Sequence, residues 1–504
     1  MPSVVERFCS RLTPASVPVG IVSLWALYVV TSVIYNLFFH PLRRYPGPKL
    51  WAAFQFPFSL AWLSGRGHRI ILDLHLKYGD IVRIAPNELS CGYPEAWEDI
   101  CGHRKKGEDE NGKDPAFWRG DVLTIVGSDR ERHARLRKIV AHGFSAQSML
   151  DQQHVFTHYV DLMMDRLHTA TAKGEPQDMT SWYNWATFDM IGDLTFGEPF
   201  GCLDKAQHHP WPRLIFQHIK GIAIATSLIR YPFANKLIAQ LTPRSVAKDI
   251  AGHWEFTKTQ VAKRMAYKDA RPDFMMSIIN AHEKKASYLV NISHEEIVAN
   301  ANNLVVGGSE TTATTLSGAT YLLVTNRPVL DKIYAELKAS FTHQDEINLI
   351  SVQKLDYMLA ALKECLRMYP AVASAIPRVS PPGGSTTILQ IWQWPMYHNP
   401  RLFKDPEVLV PERWLGDPRY DSDKRDAVQP FSVGPRNCVG KNLAYAEMRL
   451  ILAKMIWNFD FQLDPSSEGW MDRNLLYFLW EKPPLYIRLV PRDTEGEKGA
   501  AAIK

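Results

Sequence analysis

Phe431-Ser-Val-Gly434-Pro-Arg436-Asn-Cys438-Val-Gly440 leads directly into the run Lys441 to Ile456, where Leu443, Ala446, Leu450 and Ile451 recur on one face at helical spacing. A lone cysteine entering a helix meets unpaired N–H groups and the positive end of the helix dipole, which favour a thiolate. Gly434 and Gly440 let the backbone turn tightly and approach something flat, and Arg436 offers a fork suited to a carboxylate. The plain alternative is a turn with a buried cysteine. The other cysteines, Cys9, Cys91, Cys101, Cys202 and Cys365, form no CxxC pair and no compact disulfide framework, so the chemistry of interest rests on one cysteine acting alone.

A second segment, Gly307-Gly308-Ser309-Glu310-Thr311-Thr312, lies inside a helical pattern from Ile297 to Asn326 whose start is marked by a capping box, Ser293 to Glu296. Two glycines in a helix interior cost about 1 kcal/mol each relative to alanine, which close approach to a bulky planar cofactor would justify. Glu310 and Thr311, an acid and an alcohol, are then placed to pass protons. Helical spacing recurs through most of residues 60 to 370, including Asp151 to Thr169, whereas strand-like runs are short: Ile81 to Ile84, Ile388 to Trp392 and Leu485 to Val490. The polar run Arg104 to Asp114 reads as a solvated loop. The fold class is mainly α with a minor β-sheet.

Val17 to Phe39 are 23 residues without a charge, about 34 Å as a helix and enough to span a bilayer. Pro41, Pro46, Gly47 and Pro48 then read as a stiff connector. The organisation is a tail (1–16), a transmembrane anchor (17–39), a proline-rich hinge (40–50), one large domain (51–492) and a C-terminal tail (493–504). With 58 basic against 53 acidic residues, the surplus is too small to argue for a nucleic-acid groove.

The cysteine stretch resembles the ligand loop of the cytochrome P-450 haem-thiolate monooxygenases, and further motifs follow in that family's order. The resemblance implies the cytochrome P-450 fold behind one N-terminal transmembrane helix. It implies haem b on Cys438, with Phe431, Gly434 and Gly440 shaping the loop, and Glu310 and Thr311 as the oxygen-activating acid and alcohol. Glu364 and Arg367 in LKECLRMYP, with Arg413 in PERW, resemble the buried network that scaffolds the haem loop. His133, Arg137, Arg378 and Arg436 match propionate-binding positions. Phe117, Val306, Ala373, Ser374, Ala375 and Leu479 match substrate-contact regions, and their small apolar character suits a bulky lipophilic substrate. Arg135, Lys138 and Lys441 are expected to form a basic docking face for an acidic electron donor.

FFHPLRRYPGPKL and WPMYHNPRLFKDPEVLVPERWL are similar to phrases in fungal enzymes of secondary metabolism such as the trichothecene-type hydroxylases. The implied activity is hydroxylation with dioxygen and NADPH-derived electrons. These come through a separate NADPH-cytochrome P-450 reductase, with cytochrome b5 as a further donor, because the chain has no GxGxxG fingerprint of its own. The implied place is the endoplasmic reticulum membrane, spanned once, with the catalytic domain in the cytosol. One departure stands out: after Pro381-Pro-Gly-Gly384 the family has a strand, a Pro-Gly turn and a return strand, whereas here Ser385-Thr-Thr-Ile388 runs straight on. That shortening motivates an impaired haem-binding scaffold as one rival reading. The other is an electron-independent isomerase or dehydratase, against which Glu310 and Thr311 speak.

Overall fold

Long stretches of helical periodicity become the principal helices of the computed structural model, which describes residues 16–105, 107–118, 122–207, 209, 220–221, 223–231, 244–267, 273–284, 291–381 and 386–492. They are α1 (Ser16–Ile34), α2 (Gly67–Tyr78), α3 (Arg130–Val140), α4 (Gln153–Thr171), α5 (Met179–Phe196), α6 (Arg244–Ala266), α7 (Phe274–Lys284), α8 (His294–Thr325), α9 (Arg327–Ser340), α10 (Asp356–Met368) and α11 (Lys441–Asn458). Helix α5 is buried on nearly every side and packs along α8, so these two form the centre of the domain. The capping box forms: the Glu296 amide donates to Ser293 Oγ at 3.2 Å and the Ser293 amide to Glu296 Oε2 at 3.0 Å. The segment expected as one helix from Asp151 breaks at Gln152, which separates Ala146–Asp151 from α4.

The strands are β1 (Ile81–Ala85), β2 (Glu88–Cys91), β3 (Gly112–Lys113), β4 (Gln177–Asp178), β5 (Arg378–Val379), β6 (Ile388–Gln390), β7 (Phe459–Leu463), β8 (Leu475–Leu476), β9 (Trp480–Glu481) and β10 (Tyr486–Pro491). A five-stranded sheet runs β1-β2-β6-β5-β3, a three-stranded one β4-β10-β7, and β8 pairs with β9. The expected loop at 104–114 thus contains a strand, and β6 stops at Gln390 because Gln393–Tyr397 turns helical.

Pro382 to Ser385, including Gly384, lie outside the described residues, but the flanks of the shortened segment are clear. β6 pairs with β5 on one side and β2 on the other, and the Ser380 amide donates to the Thr387 carbonyl at 2.9 Å. The flanking strands therefore keep their partners, contrary to what a strand cut from the sheet would leave.

Pro18–Phe39 is a helical stretch of mean hydropathy 1.8 with none of it buried, long and apolar enough to cross a membrane. The connector behind it is docked on the domain. The Arg83 amide donates to the Pro46 carbonyl at 2.7 Å, and buried Arg83 reaches the Asn36 carbonyl through Nη1 at 2.9 Å. The terminal segments 1–15 and 493–504 lie outside the described residues.

Candidate active site

The loop before α11 is closed by its own backbone. The Cys438 amide donates to the Phe431 carbonyl at 2.8 Å and the Asn437 amide to the Gly434 carbonyl at 3.2 Å. Gly434 has φ 74°, and a Cβ there would lie 2.0 Å from the Cys101 carbonyl oxygen, so only glycine fits. The backbone that Gly434 approaches is that of Cys101 and Gly102. A Cβ on Gly440 would stand 3.9 Å from Cys438 Sγ, and the Phe431 ring packs on Tyr445 at 5.2 Å. Cys438 is accessible although protein encloses it. Burial pushes its thiol up, with the Gly440 N–H, Arg137 and Lys441 pulling the other way.

On α8 the two glycines have different reasons. A Cβ on Gly307 meets nothing within 4 Å, so the helix presents a bare patch there, whereas a Cβ on Gly308 would sit 2.7 Å from Ile191 Cδ1 of α5. Gly308 is therefore a helix-packing glycine, and only Gly307 leaves room for a bulky group. Thr311, one turn on, donates from Oγ1 to the Gly307 carbonyl at 2.7 Å. Glu310 is buried and paired with Lys482 and with Thr314, whose hydroxyl donates to Oε1 at 3.0 Å. Burial holds the Glu310 carboxyl above its ordinary value even with the Lys482 ammonium against it. Lys482 escaped the sequence reading because it stands 172 residues away.

Three arginines and a histidine gather beside the cysteine loop. Arg137 donates to the carbonyl and Oδ1 of Asn437 at 2.5 and 2.7 Å, and Arg436 pairs with Glu110 at 2.7 Å and reaches the Ser128 carbonyl at 2.9 Å. Arg378 is buried, and its Nε has no hydrogen-bond partner among the described residues. Burial and nearby Arg436 pull its pKa below the usual value. His133 is brought down to about 4 by burial and then by Arg436, Arg137 and Lys113, so at neutral pH it offers an N–H and no charge.

Glu364, Arg367 and Arg413 meet with no exposed side-chain surface. Arg367 grips Glu364 in a fork at 3.0 and 2.8 Å, and Arg413 Nε reaches Glu364 Oε1 at 3.1 Å. The sequence reading missed two members, Asp423, which pairs with Arg413, and Trp414, whose indole N–H donates to Glu364 at 2.8 Å.

Of the six expected pocket residues, Phe117 and Ala375 line a cavity shared with Phe58, Trp62 and Arg230. Val306 lies beside the bare patch of α8. Ala373, Ser374 and Leu479 are buried away from that cavity's lining, Ser374 Oγ donating to the Phe478 carbonyl at 3.0 Å. Of the expected basic docking face, Arg135 is committed to Glu296, while Lys138 and Lys441 are exposed.

A cysteine held at a helix entrance, a bare patch at Gly307 on the continuous central helix α8 and a cluster of arginines make up the candidate site. The chain belongs to the cytochrome P450 family, whose profile matches residues 45–489. It is similar to trichothecene C-15 hydroxylase of Fusarium sporotrichioides, 44% identical over 491 residues that cover 93% of this chain and 99% of that protein. Averantin hydroxylase of Dothistroma septosporum is 39% identical over 489 residues, covering 95% of this chain and 91% of that one. The cytochrome P450 monooxygenase prhB of Penicillium brasilianum is 39% identical over 478 residues, covering 92% and 96%. The protein is therefore a haem monooxygenase, an oxidoreductase that incorporates molecular oxygen. Such enzymes take electrons from a redox partner and bind a small-molecule substrate. The relatives favour neither an isomerase or dehydratase nor an impaired scaffold.

The residues present fit a haem. Among the described residues neither Arg137 nor Arg378 has a carboxylate partner, and two propionates would supply the missing counter-charge. A Cβ on Gly307 would meet nothing within 4 Å, so α8 is open at that point for a group to approach its backbone.

Proposed function

We propose that the chain binds haem b through Cys438 and hydroxylates a lipophilic small molecule of a fungal secondary-metabolite pathway. Electrons come from NADPH through NADPH-cytochrome P450 reductase, with cytochrome b5 as an additional donor. When bound, haem supplies the iron at which dioxygen is split, one atom entering the substrate and the other leaving as water. Cys438 Sγ would hold the haem iron as a thiolate, and the bound metal would offset the upward push of burial on the thiol. Arg378, Arg137 and Arg436 hold the propionates, and His133 adds a neutral N–H. Thr311 Oγ1 and the Glu310 carboxyl deliver protons at the bare patch of α8. The Glu364, Arg367 and Arg413 network fixes the segment leading into the cysteine loop. The enzyme sits in the endoplasmic reticulum membrane with its domain in the cytosol, a reading supported by the length and apolar character of Pro18–Phe39.

The observation that carries this reading is that Arg137 and Arg378, beside the Cys438 loop, have no carboxylate ion-pair partner among the described residues. Reduced protein under carbon monoxide is expected to give a thiolate-type Soret band that Cys438→Ala abolishes. Thr311→Ala is expected to keep that band while product formed per NADPH consumed falls by about 100-fold, the lower end of what a positioned proton-transfer group contributes. A wild-type-like band in the Cys438 variant would refute the ligand assignment, and an unchanged product ratio would refute the role of Thr311.

A further inference from the structure

Glu110 stands in the polar run that reads from sequence as a solvated loop, yet its backbone is tied down. Its neighbour Asn111 is buried and donates through Nδ2 to the Ile100 carbonyl at 2.9 Å. Gly112 and Lys113 follow as β3, paired with Val379 and Arg378 of β5. Glu110 Oε1 accepts two N–H bonds from Arg436, from Nη2 at 2.7 Å and Nε at 3.2 Å, while Nη1 of Arg436 donates to the Ser128 carbonyl at 2.9 Å. The Arg436 side chain is 5% exposed and that of Glu110 19%, so salt and water screen this pair only weakly.

Cations surround Glu110. Burial pulls Arg378 below its usual value, Arg436 adds to the pull, and Cys101 and Glu110 act against it. His133 is lowered by burial and then by Arg436, Arg137 and Lys113, and Glu110 again acts the other way. Lys113, beside it on β3, places its ammonium over the Trp118 ring at 4.4 Å. The guanidiniums of Arg137, Arg378 and Arg436 exceed by one the two propionates that a haem brings. With Glu110 on Arg436, the charges balance. A largely buried cation left uncompensated is costly, which gives a physical reason for a carboxylate at this position.

We propose that Glu110 is a fixed member of the haem seat, a positioning residue that stays on Arg436 when haem is bound and whose negative charge holds the cofactor's reduction potential down. This deepens the haem reading and rests on it. Of the five N–H groups that arginine carries, three are used by Glu110 and Ser128, so Arg436 keeps two for a propionate. Reduction adds an electron to the cofactor, so a fixed negative charge nearby disfavours it and removal of that charge favours it.

Haem-loaded, full-length protein in detergent is titrated with redox mediators in the absence of substrate, and midpoint potential and spin state are read from the Soret region. Glu110→Gln keeps an acceptor oxygen for Arg436 and drops the charge. It is expected to favour the ferrous form about three- to tenfold at a fixed electrode potential, an upward shift of about 30–59 mV at about 59 mV per tenfold for one electron, with the spin state unchanged. Glu110→Asp, which keeps the charge, should lie closer to wild type. Glu108→Gln removes a charge from the same loop, one whose carboxylate accepts from the Lys105 amide at 3.2 Å, and should leave the potential where it is. Haem loss from the Glu110→Gln protein to apomyoglobin should be no faster than from wild type, because the propionates then meet a larger positive charge.

An unchanged potential in Glu110→Gln overturns the proposal, and tighter haem uptake alongside it would mark Glu110 as a stand-in that a propionate displaces. Equal shifts in the Glu110 and Glu108 variants would reduce the effect to the general charge of the loop, and haem loss more than about tenfold faster would reduce Glu110 to a prop for Arg436; either result also overturns it. Failure of the haem reading itself has a separate signature, the absence of a thiolate-type band in the wild-type protein.

Discussion

Glu447 is fully buried on α11, and burial lifts its pKa to about 8, Thr312 being the polar group that opposes the shift. At neutral pH the folded protein therefore holds a proton that the unfolded chain releases. The stability this gives is complete below the ordinary carboxyl value of 4.5. It falls as pH rises toward 8, by about 1.4 kcal/mol per unit across that window. Glu447→Gln should remove this dependence, so melting temperatures from pH 5 to 8 are expected to show the variant gaining on the wild type as pH rises. A parallel pair of curves would mean that Glu447 is ionised in the fold. Nothing in the sequence marks this residue, because an acid on a helix looks solvated until the neighbouring helix is known. The same holds for Gly308, whose tight contact is with Ile191 of α5. Cys438 and Gly307 were legible because their chemistry is local: a helix entrance in one case, a missing side chain in a helix interior in the other.

Among elements, the buried ionic network joins α10 to the short helix Pro411–Trp414 and the loop beyond it. Its charges balance, Arg367 and Arg413 against Glu364 and Asp423. Asp423→Asn leaves one positive charge uncompensated in a fully buried setting, and an unfolding free energy lower by about 3–5 kcal/mol is expected, with weaker haem retention. Chemical denaturation and haem content per polypeptide check this, and a loss below about 1 kcal/mol would show that Asp423 is dispensable. Long helices were readable because 20 or 30 residues repeat one period, and α8 starts within three residues of the sequence estimate. Strands β3 and β5, two residues each, have no period to read and exist because each pairs with the other more than 260 residues away along the chain. The anchor's connector shows a related limit: its prolines announce stiffness, as the sequence reads it, but not the Arg83 side chain and amide that bind it.

At the scale of the whole molecule, the link through Asn36 ties the anchor's end to the domain and separates two truncations. Removing residues 1–34 or 1–39 is expected to release the protein from membranes in both cases. Only the longer cut deprives buried Arg83 of the Asn36 carbonyl, so it should be less stable by about 1–3 kcal/mol. Fractionation and thermal unfolding of the two proteins decide it, and equal midpoints would show that water replaces the lost acceptor. The five-stranded sheet has a further consequence, in time. Its central strand β6 lies parallel to β2, with Glu88 opposite Ile388. β2 thus leaves the ribosome about 300 residues before its neighbour exists, a wait of about 15–60 s at ordinary synthesis rates of about 5–20 residues per second. For that interval β1 and β2 form a hairpin with an open edge, close behind the apolar N-terminal helix. Completion of this sheet, and of the cavity wall that Gln390 supplies, is therefore a late event in the biogenesis of the chain, and the nascent hairpin is where a chaperone would be needed most.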